Sequence, residues 1–283
     1  MDNKRKAIIL ILLSSFSFAM MQTMVKLAGN LPTFEKVFVR NLISLFIAFS
    51  IIYKNKASVF GKKENQKYLL LRSILGLLGV IFYFYSINHL IMADAAMLNK
   101  LSPFFVVIFA WIFLKEKLTK RNIISLFIVI IGAMLVIKPK FSLEIIPAAA
   151  GFFAAVCAGA AYTLVRFLGN RENPSTIVFY FSLVSVIGVF PLMLLDFVFP
   201  TKMQFLYLLG IGIFAALGQF SLTFAYKYGK AAEVAIFDYT NIIFAAILGF
   251  TLWGEIPDMY SFIGGILILG TALFNYLYNS KSA

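Results

Sequence analysis

The strongest constraint on this chain is a succession of ten apolar runs, each long enough to cross a lipid bilayer. A helix needs about 20 mostly apolar residues to span the hydrocarbon core. The runs lack the alternation of transmembrane β-barrel strands, and they fall at 7–27, 35–53, 68–88, 93–114, 120–138, 145–168, 175–196, 204–226, 231–253 and 259–279. The sequence therefore predicts an all-α polytopic membrane protein with ten transmembrane helices.

The basic residues predict how the chain is oriented. The net charge is +13, but the lysines and arginines lie in short gaps between the runs and not on one face, as a nucleic-acid partner would require. With the N-terminus in the cytoplasm, sixteen of them fall in inner segments, at 4–6, 54–67, 115–121, 171, 227–230 and 281. Only four fall outside, namely Lys36, Lys138, Lys140 and Lys202. This bias predicts a cell inner-membrane protein with both termini cytoplasmic.

The chain also contains an internal repeat. Residues 23–30 (TMVKLAGN) recur as 163–170 (TLVRFLGN), with four of eight positions identical. Matches spaced by 139–140 residues continue downstream, for example Glu116 with Glu255. Five crossings per repeat is an odd number, so the second half would enter the membrane from the opposite side. We therefore predict two inverted five-helix domains, 1–140 and 141–283, with a substrate site between them.

Three segments resemble a known transporter family. They are 85–103 (YSINHLIMADAAMLNKLSP), 113–118 (FLKEKL) and 32–40 (PTFEKVFVR). Together with ten helices in two repeats, they resemble the EamA-type branch of the drug/metabolite transporter (DMT) superfamily. The resemblance implies transport of a small polar metabolite, such as an amino acid, a nucleoside-like compound, an organic anion or a quaternary amine.

Two ionisable residues lie deep inside apolar runs. Lys100 and Asp238 are each seven positions into their runs, about 10 Å at 1.5 Å per residue. Charge in hydrocarbon is costly, so both are site candidates. Lys100 could bind a substrate carboxylate or phosphate, or pair with a protein carbonyl or carboxylate. Asp238 could ligate a cation, carry a coupling proton or neutralise Lys100. We expect one central polar site, with the two charges either paired or bridged by substrate.

Other cations fall nearer the run ends. Arg40 has no charged counterpart in the second half and could bind a carboxylate or anchor its helix at the interface. Lys26, Arg72 and Arg166 are predicted to extend to the lipid headgroups. Glu116 and Glu255, which end equivalent helices, are predicted to fasten loops. The cationic excess predicts a preference for anionic or zwitterionic substrates.

Uncharged polar residues deep in the runs complete the candidate substrate-binding set. They could line a pathway or hydrogen-bond between helices. Besides Lys100, Asp238 and Arg40, the set comprises Gln22, Asn99, Tyr162, Gln219, Tyr239 and Asn241, with Asn41 as a further polar group.

Alternatives to a secondary transporter can be searched for by motif. The sequence has one histidine, His89, and no HExxH, GxSxG or Walker-type phosphate loop. We therefore predict no enzymatic activity, no metal and no cofactor. A channel or receptor is harder to separate, although no ring of like charges is visible. Predicted partners are the small-molecule substrate and the bilayer; a coupling proton or ion, and a monomeric or homodimeric state, are left open.

Overall fold

The computed structural model describes residues 3–115, 119–138, 145–169, 171–228 and 237–281, and these are helical with no strand. A short 3₁₀ turn, Lys63–Asn65, precedes the third helix. The helices are α1 (Asn3–Leu27), α2 (Thr33–Lys54), α3 (Gln66–His89), α4 (Met92–Asn99), α5 (Ser102–Leu114), α6 (Lys120–Ile137), α7 (Ile146–Leu168), α8 (Pro174–Leu195), α9 (Lys202–Tyr228), α10 (Thr240–Trp253) and α11 (Met259–Lys281).

The described helices confirm a multi-pass membrane fold. Eight segments are long and apolar enough to cross a bilayer, and the pair α4 and α5 counts as one of them, Met92–Phe113. Two further apolar segments, Asn122–Ile137 in α6 and Thr240–Trp253 in α10, are shorter. The first follows the charged residues Lys120 and Arg121, and the second follows a turn at Tyr239. The number of ten spans therefore stays a prediction. The predicted domain boundary between 140 and 141 lies outside the described residues.

Helices of the first half pack against helices of the second. The main pairs are α1 with α9, α2 with α8, α3 with α7, and α6 with α11. If each helix is replaced by its equivalent in the other half, the pair α1–α9 becomes α7–α3. The pairs α2–α8 and α6–α11 are unchanged by this exchange. This pairing is what two related halves around a two-fold axis would give.

Small residues let α6 and α11 approach closely. A Cβ added to Gly132 would lie 3.0 Å from the carbonyl oxygen of Gly264. One added to Gly264 would lie 2.5 Å from the carbonyl oxygen of Gly132. Close backbone contact at such positions is a common device for packing helices in membranes.

An ion pair joins the two halves at one end of the bundle, which we call the Glu255 end. Lys26 at the end of α1 donates to Glu255 and to the carbonyl of Leu90, 3.1 Å away. The second oxygen of Glu255 accepts from the amide of Met92 at 2.8 Å. The prediction that Lys26 extends to the headgroups is therefore wrong, because a carboxylate of the other half is closer. Glu255 does fasten loops, whereas Glu116 lies outside the described residues.

A second ion pair lies at the same end but is open to solvent. Lys138, just after α6, contacts Asp258 at 2.6 Å, and their side chains are 31% and 52% exposed. This hydrogen bond holds the pKa of Asp258 below its ordinary value. The pair joins α6 to the start of α11.

The opposite end, the Glu172 end, is also tied between the halves. Glu172 accepts from the amide of Lys62 at 2.8 Å and from Nδ2 of Asn65 at 2.6 Å. Thr176 donates to the carbonyl of Ser58 at 2.5 Å. Polar contacts therefore connect the two halves at both ends of the bundle.

Candidate functional site

The helix of the fourth predicted span is broken at its candidate residue. The α4 helix ends at Asn99, Lys100 caps it, and α5 starts again at Ser102. Pro103, in the first turn of α5, has no N–H and cannot donate to the carbonyl of Asn99. This missing hydrogen bond explains why α4 stops at Asn99. At the break, the backbone of Lys100 no longer follows the regular helix.

An equivalent break occurs in the second half. Phe237 and Asp238 are helical, Tyr239 is a turn residue and α10 begins at Thr240. The hydroxyl of Thr240 donates to the carbonyl of Phe237 at 2.6 Å, a local hydrogen bond that competes with continued helix. The spacing of 139 residues makes Tyr239 the equivalent of Lys100. Both halves are therefore interrupted at the same place.

The two breaks bring Lys100 and Asp238 together. Nζ of Lys100 lies 2.5 Å from Oδ2 of Asp238, and the side chains are 8% and 19% exposed. The other carboxylate oxygen accepts from the hydroxyl of Ser15 on α1 at 3.2 Å. Of the two arrangements left open by the sequence, direct pairing is the one observed. Ser15 was not among the predicted residues, since serine is unremarkable in an apolar helix.

Two predicted amides continue this polar cluster along α1 and α10. Nε2 of Gln22 donates to Oδ1 of Asn241 at 3.1 Å, and Nδ2 of Asn241 donates to the carbonyl of Ser15 at 2.9 Å. Gln22 and Asn241 are 1% and 2% exposed. Oε1 of Gln22 has no hydrogen-bond partner within the described part of the chain. The cluster therefore keeps one unused acceptor beside the ion pair.

Tyr162 on α7 is a predicted residue with an accessible side chain. The charges of Asp238, Arg40 and Arg72 act on its hydroxyl, and 39% of its surface is accessible. Its accessible surface keeps Tyr162 among the residues proposed to line a pathway.

Three predicted residues remain, namely Asn99, Gln219 and Tyr239. Tyr239 is 6% exposed and packs in an apolar cluster with residues such as Met97 and Ile242. Asn99 at the end of α4 and Gln219 on α9 are half-buried.

Arg40 and Arg72 are both deeply buried, at 7% and 5% exposed. Their guanidinium carbons lie 5.8 Å and 4.0 Å from the centre of the Phe181 ring on α8. Arg40 is therefore buried inside the bundle and does not anchor its helix at the interface. For Arg72, the predicted extension to the headgroups is wrong, because its side chain packs inside the protein. Arg166 is exposed, and its extension to the headgroups stays a prediction.

A surface groove lies elsewhere. It has a volume of about 610 Å³, lies between α6 and α11, and is lined chiefly by apolar residues such as Ile128 and Phe274. Its apolar lining suits lipid and not a polar solute. Within the described residues, no three His, Cys, Asp or Glu side chains gather in a way that could hold a metal ion.

Broken membrane helices that meet at a buried ion pair between two related halves define a multi-pass membrane transporter. The sequence comparisons specify which kind. The chain belongs to the EamA-like transporter family, which it matches twice, over residues 5–138 and 145–277. The resemblance seen in the sequence is thereby confirmed.

Individual relatives are also transporters. The chain is 36% identical over 272 residues to the pseudopaline exporter CntI of Pseudomonas aeruginosa, covering 95% of each protein. It is 28% identical to an uncharacterized transporter of Helicobacter pylori, covering 93% of this chain and 92% of that one. For human solute carrier family 35 member G1, the identity is 25%, with 95% and 80% covered. A crystal structure at 18% identity shares the fold, with a TM-score of 0.70 and coverage of 97% and 98%.

Proposed function

We propose that this protein is a secondary transporter that exports a small polar metabolite, anionic or zwitterionic, across the cytoplasmic membrane by alternating access. The observation that carries the proposal is the Lys100–Asp238 pair at the two helix breaks. Transporters built from inverted repeats bind substrate where such broken helices meet near the bilayer midplane. The outward direction is suggested by the exporters of Pseudomonas aeruginosa, which match the chain over nearly its whole length.

The two halves provide the parts that alternating access requires. The polar cluster of Ser15, Gln22, Asp238 and Asn241 belongs to both halves, so movement of one half against the other would change its access. The Lys26–Glu255 pair joins the halves at one end, and the Glu172 contacts join them at the other. In the proposed cycle, release of one set of contacts opens the site to that side while the other set stays closed. With both termini cytoplasmic, the Glu255 end faces outward.

The charges support the substrate class. In the described residues, Lys26, Lys100 and Lys138 pair with carboxylates, whereas Arg40 and Arg72 make no salt bridge. Two arginines beside a pathway favour a substrate with a negative group, because electrostatic attraction is strong where water is scarce. Asp238 could at the same time receive a substrate amine, or a coupling proton.

Binding and carrier-type transport test the function in sequence. Purified protein is first screened by thermal unfolding against amino acids, carboxylates, nucleosides and quaternary amines, since ligands stabilise by mass action. A radiolabelled form of each stabilising compound is then offered to proteoliposomes. We expect saturable uptake that accelerates when the vesicles are preloaded with the unlabelled compound. Uptake that rises linearly with concentration and ignores preloading would indicate a channel and contradict the proposal.

A further inference from the structure

Arg40 and Arg72 both lie close to one aromatic ring in the interior of the bundle. Arg40 comes from α2, Arg72 from α3 and Phe181 from α8, so three helices and both halves contribute. The ring centre is 5.8 Å and 4.0 Å from the two guanidinium carbons. Cation–π contact stabilises each arginine but removes none of its charge. Two positive charges therefore share a small buried volume.

Protein groups satisfy these arginines only in part. Arg40 donates through Nη1 to Oδ1 of Asn41 at 2.8 Å. Across the described chain, Nε of Arg40 and both Nε and Nη1 of Arg72 have no hydrogen-bond partner. Neither arginine forms a salt bridge within those ranges. A buried charge without a partner is strongly unfavourable, so a bound external anion would stabilise the two arginines.

The direction of the Arg72 side chain argues against a role at the membrane surface. Its Nη1 lies 2.8 Å from the position of a Cβ on Gly76, one turn further along α3. The guanidinium therefore extends along the helix away from the Gln66 end, which is the near surface. An interfacial arginine would extend the other way, to the headgroups. The absence of a side chain at Gly76 leaves the space that the guanidinium and the Phe181 ring occupy.

The charges of Arg40, Arg72 and Asp238 all act on the hydroxyl of one accessible side chain, Tyr162. Ser185, one turn beyond Phe181 on α8, is fully buried and its hydroxyl has no partner in the described residues. The bundle interior thus has a positive pole at Arg40 and Arg72 and an acidic group at Asp238, and the charges of both act on Tyr162.

We propose that Arg40 and Arg72 form an anion subsite that binds a carboxylate of the transported compound. This inference rests on the proposed function and specifies how its substrate is recognised. The planar guanidinium forks offer paired donors that match the two oxygens of a carboxylate. A substrate with a carboxylate at one end and an amine at the other would place the amine toward Asp238 and Tyr162.

A binding measurement with a defined probe tests the subsite. Thermal unfolding of the purified protein is followed against succinate, with succinamide as the uncharged isostere and chloride to hold ionic strength constant. We expect a saturable rise in melting temperature with succinate and none with succinamide. In Arg40→Gln and Arg72→Gln, the apparent affinity for succinate should fall at least tenfold. Without succinate, Arg72→Gln should melt no lower than the wild type, because a repelled buried charge has been removed.

Arg171 provides the matched control. Its guanidinium carbon lies 4.0 Å from the centre of the Phe167 ring, the same stacking distance as Arg72 on Phe181, but it is exposed. Arg171→Gln should bind succinate as the wild type does. Inorganic phosphate is tested in parallel, and a shift with phosphate but not succinate would assign the site to phosphate groups such as those of lipids and overturn the carboxylate proposal.

The remaining outcomes separate this inference from the proposed function. An unchanged succinate shift in Arg72→Gln, or no saturable shift with either anion in the wild type, would overturn the subsite. Uptake by proteoliposomes is measured independently on the same preparations. If the wild type transports and Arg72→Gln transports the same compound with the same apparent affinity, the subsite is wrong and the function stands. If the wild type binds anions at Arg72 but transports nothing, the function fails and the binding site stands.

Discussion

Lys100 and Asp238 form an ion pair, with 2.5 Å between ammonium nitrogen and carboxylate oxygen, although 138 residues separate them in sequence. Each lies at a break in its membrane helix, and the breaks occupy equivalent positions of the two halves. The pair is therefore a contact between the halves, and any movement of one half against the other would change its geometry. This relationship leads directly to a stability prediction.

Removing one member of the pair should destabilise the protein more than removing both. Lys100→Met leaves Asp238 buried without its partner, and Asp238→Asn does the same to Lys100. Breaking a buried pair costs about 3–5 kcal/mol, whereas replacing both partners is often near neutral. Thermal unfolding in detergent should show lower melting temperatures for the single variants and partial recovery for the double variant.

The exposed pair Lys138–Asp258 serves as the control, since it has a similar contact distance of 2.6 Å but exposed side chains. Exposed pairs contribute about 0–1 kcal/mol, so Asp258→Asn should hardly change the melting temperature. Asp258 is the member to replace, because Lys138 also lies 3.9 Å from the buried Asp94. Equal effects at the two pairs would contradict the burial argument.

The Arg72 guanidinium should depend on a small residue at position 76. In Gly76→Ala, the new Cβ would lie 2.8 Å from Nη1 of Arg72 and 2.9 Å from the Phe181 ring. Overpacking of this kind typically costs about 1–3 kcal/mol, and displacement of the arginine should weaken succinate binding. Gly270→Ala on α11 is the control, because nothing lies within 4 Å of its Cβ. If both variants behaved alike in unfolding and binding, Gly76 would have no role in placing Arg72.

The Lys26–Glu255 pair should hold the Glu255 end closed. The Glu255→Gln substitution weakens the bond from Lys26 and the bond to the Met92 amide. With Cys157 replaced by serine, a cysteine at Gln22, one turn below Lys26, reports access from that side. We expect Glu255→Gln to speed labelling of this cysteine by a membrane-impermeant thiol reagent in intact cells. Glu172→Gln, at the opposite end, should not speed this labelling. Equal labelling rates in the parent protein and in both variants would show that the Lys26–Glu255 pair has no gating role.

The predicted orientation can be tested with the same reagent. Single cysteines in the loops 28–34 and 198–203 should react in intact cells, and cysteines in 55–66 should react only after permeabilisation. The reason is the positive-inside bias, which assigns the lysine-rich 54–67 segment to the cytoplasm. The reverse labelling pattern would invert the topology and with it the assignment of the Glu255 end.

Much of the site could be predicted from depth in the apolar runs. Lys100 and Asp238 were identified because charge is costly in hydrocarbon, and Gln22 and Asn241 because amides are rare there. The helix break at Lys100 had a readable signal in Pro103, which lies inside the predicted span 93–114 and not between spans. The break at Tyr239 had no such signal, since it depends on a local hydrogen bond from Thr240.

Side-chain direction could not be predicted from position along a helix. Arg72 and Lys26 both lie near helix ends, where extension to the headgroups is the ordinary expectation. Their actual directions are set by residues distant in sequence, Phe181 for Arg72 and Glu255 for Lys26. Such contacts arise from helix packing and leave no trace in a local pattern.

The most direct test of the account is transport by the Lys100 and Asp238 variants. Wild type, Lys100→Met, Asp238→Asn and the double variant are reconstituted, and initial uptake of a compound that stabilises the wild type is measured at matched protein content. Protein-free liposomes give the background. We expect saturable wild-type uptake and at least a tenfold loss in each variant, about 1.4 kcal/mol if the loss lies in binding. The double variant should stay inactive even where its stability recovers. Wild-type rates in the variants would contradict a central site at this ion pair.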